Sequence, residues 1–188
     1  PMNGIIGMAQ LLAQTDLLPH QRSYLATVED SAHILLRLLN DILDFSKIEA
    51  GKLELESMDF RVSECVARAA QMLVLRAAEK GLEIACRVAP EIPEHLCGDS
   101  DRIQQVLVNL ISNAVKFTSS GEVTLSARVA EGHVSVEVSD TGIGIPAEEQ
   151  TQIFSEFQQS TRSAARGYGG LGLGLAISKR LIELHHGD

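Results

Sequence analysis

The sequence predicts an α+β chain in two parts. Residues 1–52 form a helical hairpin of the kind that pairs with a second copy into a four-helix bundle, and residues 53–188 form an α/β sandwich with helices on one face of a mixed sheet. Three observations predict this. Apolar residues step by threes and fours from Leu25 through Val28, Ala32, Leu35 and Leu39 to Ile42, as along a coiled-coil seam. After Gly51 the period changes, and alternating stretches interleave with helical ones. The stretch "GEVTLSARVAEGHVSVEVSD" has the form of a hairpin with "AEGH" at its tip.

Element by element, Asn3 to Leu17 carries a short apolar stripe of Ile5, Met8 and Leu12. "TDLLPHQ" is a turn with a proline early in the second helix, which ends near Gly51. Two antiparallel helices with one wet face cannot bury both stripes alone. A second copy would bury them, and so would packing on the rest of the chain. "LELESMDF" alternates, "SECVARAAQMLVLRAAEKG" is helical with Ser63 as N-cap, and "LEIACRVA" alternates again. "GDSDRIQQVLVNLISNAVKFT" is a helix capped by Asp99 or Ser100. "PAEEQTQIF" is a short helix, "QQSTRSAARGYGG" a polar, glycine-rich stretch, and "LGLGLAISKRLIELHH" a last helix.

A net charge of -9 argues against a nucleic-acid binder driven by phosphate attraction. No apolar run is long enough to span a membrane. Cys65, Cys86 and Cys97 are odd in number and lack metal spacing, which fits a reduced, cytoplasmic setting. The start at Pro1, without methionine or signal peptide, is expected of a piece of a longer protein.

Three stretches carry chemistry. In "NLISNAVKF", Asn109 and Asn113 share a helix face, and Lys116 lies on the same side. Two carboxamides and an ammonium suit a hydrated divalent ion and phosphates, although a polar face in water has the same composition. "DTGIGIP" places Asp140 at the end of a strand beside Gly142 and Gly144. "GYGGLGLGLAI" matches the dinucleotide spacing G-x-G-x-x-G at Gly167, Gly169 and Gly172, but a polar loop precedes it where that fingerprint needs a strand. Gly170, Gly172 and Gly174 run into an apolar helix, whose start would favour oxyanions. A flexible linker is the plainer alternative, against which stand the leucines at alternate positions.

Taken together, these stretches resemble the ATP-binding domain of sensor histidine kinases, in the superfamily of gyrase and heat-shock-chaperone ATPases. "DRIQQVLVNLISNAVKFTSSGEV" is similar to the family's asparagine box, "DTGIGI" and "GLGLGLAISKRLIEL" to its glycine boxes, and "IFSEFQQ" to its phenylalanine box. "PMNGIIGMAQLL" and "LLNDILDFSKIEAGKLELE" resemble its dimerisation helices, and "FQQ" and "KIEAGK" are closest to hybrid kinases. The resemblance covers the whole chain. It implies ATP and Mg²⁺ as cofactors, a homodimer through the N-terminal helices, a response-regulator receiver domain as partner, and no nucleic-acid or membrane contact by this stretch. It implies a cytoplasmic location, including that of the cytosolic part of a membrane-anchored sensor.

By the same resemblance, Asp140 accepts the exocyclic amine of adenine as a buried acid, and Gly142, Gly144 and Ile145 lie against the base. Asn113 ligates Mg²⁺, Asn109 supports the phosphates and metal, Lys116 reaches phosphate oxygens, and Phe117 packs near the nucleoside. Gly170, Gly172, Leu173 and Gly174 close on the phosphates, Gln158 to Gly169 form a lid, and Arg162 and Arg166 are phosphate contacts. Asn109 stands where the hydrolases of the superfamily carry glutamate. An amide cannot take a proton from water, which favours transfer to a supplied nucleophile.

None of His20, His33, His95, His133, His185 and His186 precedes an acidic residue, as the family's phosphoacceptor does. That acceptor is therefore expected upstream of Pro1, leaving this stretch unable to phosphorylate itself. Leu171 replaces a usual threonine or serine, and "HHGD" stops where relatives add strands. The alternative of a different class is a non-catalytic dimeric nucleotide-binding scaffold.

Overall fold

The computed structural model describes residues 2–158 and 171–188. The chain divides into two compact units, Pro1–Lys52 and Leu53–Asp188.

The first unit is a hairpin of α1 (Met2–Ala13) and α2 (Pro19–Glu49). The first helix stops four residues short of the expected Leu17. Leu18 precedes Pro19 and turns its N–H to the Gln21 side chain at 3.0 Å, so the second helix starts where proline's missing N–H costs nothing. Helix α2 ends in a Schellman turn: Gly51 has φ +63°, and the Lys52 N–H reaches Lys47 O at 2.8 Å. Only Ile6, Ala9 and Ala32 are buried here among the described residues. The predicted stripes otherwise face outward, with Ile5, Met8, Leu12, Val28, Leu35, Leu39 and Ile42 all exposed. No helix among the described residues is long and apolar enough to cross a membrane.

The second unit contains β1 (Met58–Phe60), α3 (Val62–Glu79), β2 (Glu83–Val88), β3 (Leu96–Gly98), α4 (Ser100–Phe117), β4 (Glu122–Ala130), β5 (His133–Asp140), α5 (Ala147–Gln150) and α6 (Gly174–Leu184). The sheet order is β2-β4-β5, with β2 parallel and β5 antiparallel to β4, so the sheet is mixed as expected. Val123, Leu125 and Ala127 alternate inward along β4 onto α3 and α4. The hairpin tip is Glu131–Gly132, and both residues have positive φ, which matches the twist of a two-residue turn.

Two local expectations need correction. Ser63 is not the cap of α3: the helix begins at Val62 behind Arg61, whose side chain makes no capping bond. The alternating "LELESMDF" yields only three strand residues, and they pair with β3, which the sequence does not announce. Distant pairing, not local alternation, selects the part of that stretch that becomes strand.

Asp99 fixes the start of α4 with both oxygens. Oδ1 accepts from Arg102 N at 3.0 Å and Oδ2 from Glu56 N at 3.1 Å. At the far end Lys80, just after α3, donates from Nζ to Val115 O at 2.7 Å, Lys116 O at 3.0 Å and Thr118 O at 3.5 Å. A cation on the last carbonyls of a helix meets both their lone pairs and the negative end of the dipole. Lys80→Met is expected to cost about 1–2 kcal/mol of stability in urea unfolding. An unchanged midpoint would mean that water serves these carbonyls equally well.

In the hairpin, burial raises the Asp41 carboxyl above its ordinary pKa of 3.8; Arg37 opposes the shift and Asp44 adds to it. The folded value lies above the unfolded one. The carboxyl's stabilising contribution is therefore full below the unfolded pKa and is lost as pH rises through the folded one. Asp41→Asn should melt above wild type at neutral pH, with the difference closing below the carboxyl range. A lower melting temperature at neutral pH would contradict this.

Candidate functional site

Helix α4 carries three of the expected site residues along one line. Asn109, Asn113 and Phe117 follow at four-residue intervals. Asn109 and Phe117 are about 12 Å apart along the axis at the standard rise per residue.

At its C-terminal end, α4 meets the end of β5. Thr118 is wholly buried, and its N–H bonds Ala114 O at 3.0 Å. The Thr118 hydroxyl donates to Asp140 Oδ1 at 3.4 Å, and Gly142 N–H donates to the same oxygen at 2.8 Å. Among the described residues no donor is bonded to Oδ2 of Asp140. Asp140 is exposed, against the expectation of a buried acid. The physical reason is its place at the last residue of a strand on the edge of the β2-β4-β5 sheet, where no further described strand covers it.

The two glycines after Asp140 are needed for different reasons. A Cβ on Gly142 would lie 2.7 Å from both Asp140 Oδ1 and Phe117 O, and 2.9 Å from Thr118 Oγ1. Its missing side chain lets the loop close on α4. Gly144 has open space around it but a φ of +64°, which L side chains rarely adopt.

A cleft of about 500 Å³ opens here, lined by Asp140, Gly142, Gly144 and Ile145 and by Ile153 and Phe154 beyond α5. Gln150 Nε2 donates to Ile145 O at 3.0 Å and ties α5 to the glycine loop. Ile145 and Phe154 are both 44% exposed, so the cleft offers unfilled apolar wall beside one carboxylate. An apolar cleft with a few convergent polar groups is the usual form of a small-molecule site.

Two turns back along α4, Asn109 faces the start of α6. Its Nδ2 donates to the buried Ser178 Oγ at 2.9 Å. A Cβ on Gly174 would lie 2.5 Å from Asn109 Oδ1, so only glycine lets α6 begin against this amide. Leu173 is buried as N-cap, and no side chain caps the helix. Gly172 has φ +72°, and a Cβ there would meet Gln158 O at 2.6 Å. Asn113 is half-buried and makes no hydrogen bond among the described residues. Lys116 Nζ lies 5.0 Å from the centre of the Phe117 ring, a cation–π distance.

The structure thus joins Asn109 to Gly174, Phe117 to Gly142, and Thr118 to Asp140. Gly170 lies outside the described residues, as do Gly167, Gly169, Arg162, Arg166 and nearly all of the expected lid. Among the described residues no group of three or more His, Cys, Asp or Glu side chains could hold a metal ion. Cys65 is buried, which pushes its thiol up, whereas Cys86 and Cys97 are exposed. Sequence reasoning missed Thr118, Ser178 and Lys80. Each acts on a partner far along the chain, and the only local signal was a hydroxyl directly after "KF".

Gly142→Ala is expected to lower stability by about 2 kcal/mol, because backbone and a core hydroxyl surround the added methyl. Gly144→Ala should cost about 1 kcal/mol, through φ alone. Thermal unfolding of both variants checks the order, and a reversed order would contradict the packing described.

Two sequence families match this chain. The His Kinase A (phospho-acceptor) domain matches residues 1–51, and the Histidine kinase-, DNA gyrase B-, and HSP90-like ATPase family matches residues 98–188. The signal transduction histidine-protein kinase BarA of Escherichia coli K12 is 40% identical over 193 residues, covering 100% of this chain and 21% of BarA. The sensor histidine kinase GacS of Pseudomonas protegens is 43% identical over 193 residues, again covering 100% of this chain and 21% of the relative. The chain therefore spans about a fifth of the length of these curated relatives. Among solved structures, full-length ShkA in complex with AMPPNP superposes with a TM-score of 0.79 at 38% identity, covering 97% of this chain and 38% of ShkA. With both of its parts matched and its whole length aligned to sensor kinases, the chain belongs to the histidine kinase family.

Proposed function

We propose that this chain is the ATP-binding core of a hybrid-type sensor histidine kinase. It moves the γ-phosphoryl group of ATP to a histidine, for relay to an aspartate on a response-regulator receiver domain. The observation that carries this reading is Asp140: one oxygen is held by Thr118 and Gly142, and the other is left at the rim of an apolar cleft. A carboxylate only accepts hydrogen bonds. It therefore rewards the amine of adenine and repels the carbonyl of guanine at the same place. That ShkA, 38% identical to this chain, was solved in complex with AMPPNP supports an adenine nucleotide as the ligand.

Ile145 and Phe117 would lie along the nucleoside. From there α4 leads toward the start of α6, where uncapped N–H groups at Leu173 and Gly174 would meet the phosphates, while the Lys116 ammonium, beside the Phe117 ring, would reach phosphate oxygens nearer the nucleoside. Gly170 and Gly172 would let the chain close over them. The Asn113 amide, half-buried and without a hydrogen bond among the described residues, fits a magnesium ligand, with phosphate oxygens and water completing the shell. When bound, Mg²⁺ supplies charge neutralisation across the phosphates. Asn109 holds its place through Ser178 and offers no proton acceptor for water. This favours transfer to a supplied nucleophile over hydrolysis.

The partner of the N-terminal unit would be a second copy, because the outward seam of α2 has coiled-coil spacing. The receiver partner and a cytoplasmic location follow from the hybrid-kinase reading.

Titration with Mg–ATP, followed by thermal shift, tests the binding. Wild type should melt several degrees higher at saturation and Asp140→Ala should not. An unmoved wild type, or an equal shift in Asp140→Ala, would defeat the proposal. Acid-labile, alkali-stable label from γ-labelled ATP on a histidine of the full-length protein separates the kinase from a non-catalytic dimeric scaffold, which predicts binding without label.

A further inference from the structure

We propose that Thr118 is a positioning residue that sets base selectivity, by fixing which oxygen of Asp140 faces the cleft. The inference rests on the proposed role of Asp140 toward adenine.

An exposed carboxylate at the end of an edge strand turns about its last torsion, and its two oxygens are equivalent acceptors. Here they differ. Oδ1 receives the Gly142 N–H at 2.8 Å and the Thr118 hydroxyl at 3.4 Å, from two separate elements. Because the carboxylate cannot donate, the hydroxyl must. The two donors together fix the carboxylate plane and leave the lone pairs of Oδ2 for a ligand.

Thr118 can hold that plane because it does not itself move. Its side chain is wholly buried, and its N–H closes the last turn of α4 on Ala114 O. Lys80 Nζ binds the Val115 and Lys116 carbonyls and reaches Thr118 O at 3.5 Å. An exposed acid at the end of a strand is thereby referenced to two core helices. Gly142 alone is a weaker reference, since it lies only two residues along the chain from the acid. Without the hydroxyl, Asp140 would swing, accept adenine's amine less well, and move aside for a base that presents a carbonyl.

The test measures dissociation constants of Mg–ATP and Mg–inosine triphosphate, which carries a carbonyl in place of the amine, by calorimetry on the 188-residue chain. Wild type should prefer ATP. Thr118→Val, which keeps the shape and loses the hydroxyl, should shrink that preference about threefold, less than the weight of a short hydrogen bond to a charged group because the contact is 3.4 Å long. Thr118→Ser should restore it. If the valine variant does not fold, Thr118→Ala carries the same expectation. An unchanged preference in the variant, or equal weakening of both nucleotides, overturns the inference, since a merely structural threonine acts on both alike. A wild type without preference for ATP, or Asp140→Ala binding ATP like wild type, would instead defeat the parent reading.

Discussion

The buried stripe of α4 decides where everything else at the site points. Leu107, Ile111, Ala114 and Val115 lie in the core formed with α3 and β4. Burying a leucine or isoleucine is worth about 2 kcal/mol each, so the helix cannot rotate about its axis without losing several such contacts. With that face committed, the line Asn109, Asn113, Phe117 is committed as well. The helix is also held at both ends, by Asp99 at its start and by the Lys80 ammonium at its finish. Polar groups on such an element are placed without loop ordering at the moment of binding, which is what preorganisation requires.

The glycines of the two boxes take on a different meaning against that helix. Gly142 is bare because Phe117 O and Thr118 Oγ1 occupy the place of its side chain, and Gly174 because the Asn109 amide does. Both are contacts within the protein. They bring the loop after β5 and the start of α6 onto the same helix, about 12 Å apart along its axis. Among the described glycines of the two boxes, Gly144 and Gly172 need glycine for backbone conformation, and Gly172 needs it for space as well.

Much of this was legible in the sequence, for identifiable reasons. The seam of α2, the alternation of β4 and β5, and the Asx cap of α4 are local patterns, and local patterns survive folding. The family-like boxes named Asn109, Asp140 and the glycines, and of these Asp140 and Gly142 meet the end of α4 while Gly174 meets Asn109 on the same helix. What stayed hidden was relational. The bond from Thr118 to Asp140 spans 22 residues, the clamp of Lys80 on Val115 spans 35, and the Asn109–Ser178 bond spans 69. No periodicity reports such pairs. The exposure of Asp140 was hidden too, because it depends on which strand ends at the edge of the sheet. The hairpin shows the opposite case. Its stripe was evident, yet among the described residues only Ile6, Ala9 and Ala32 are buried and the conspicuous residues face outward.

The proposed function turns on an acid, held at the end of α4, that reads the amine of a purine. A crystal structure of the chain with Mg²⁺ and a non-hydrolysable ATP analogue tests it most directly. The adenine amine is expected within hydrogen-bonding distance, about 3 Å, of the Asp140 carboxylate, with Thr118 and Gly142 still on the opposite oxygen. A base seated elsewhere, with Asp140 facing water, would contradict it.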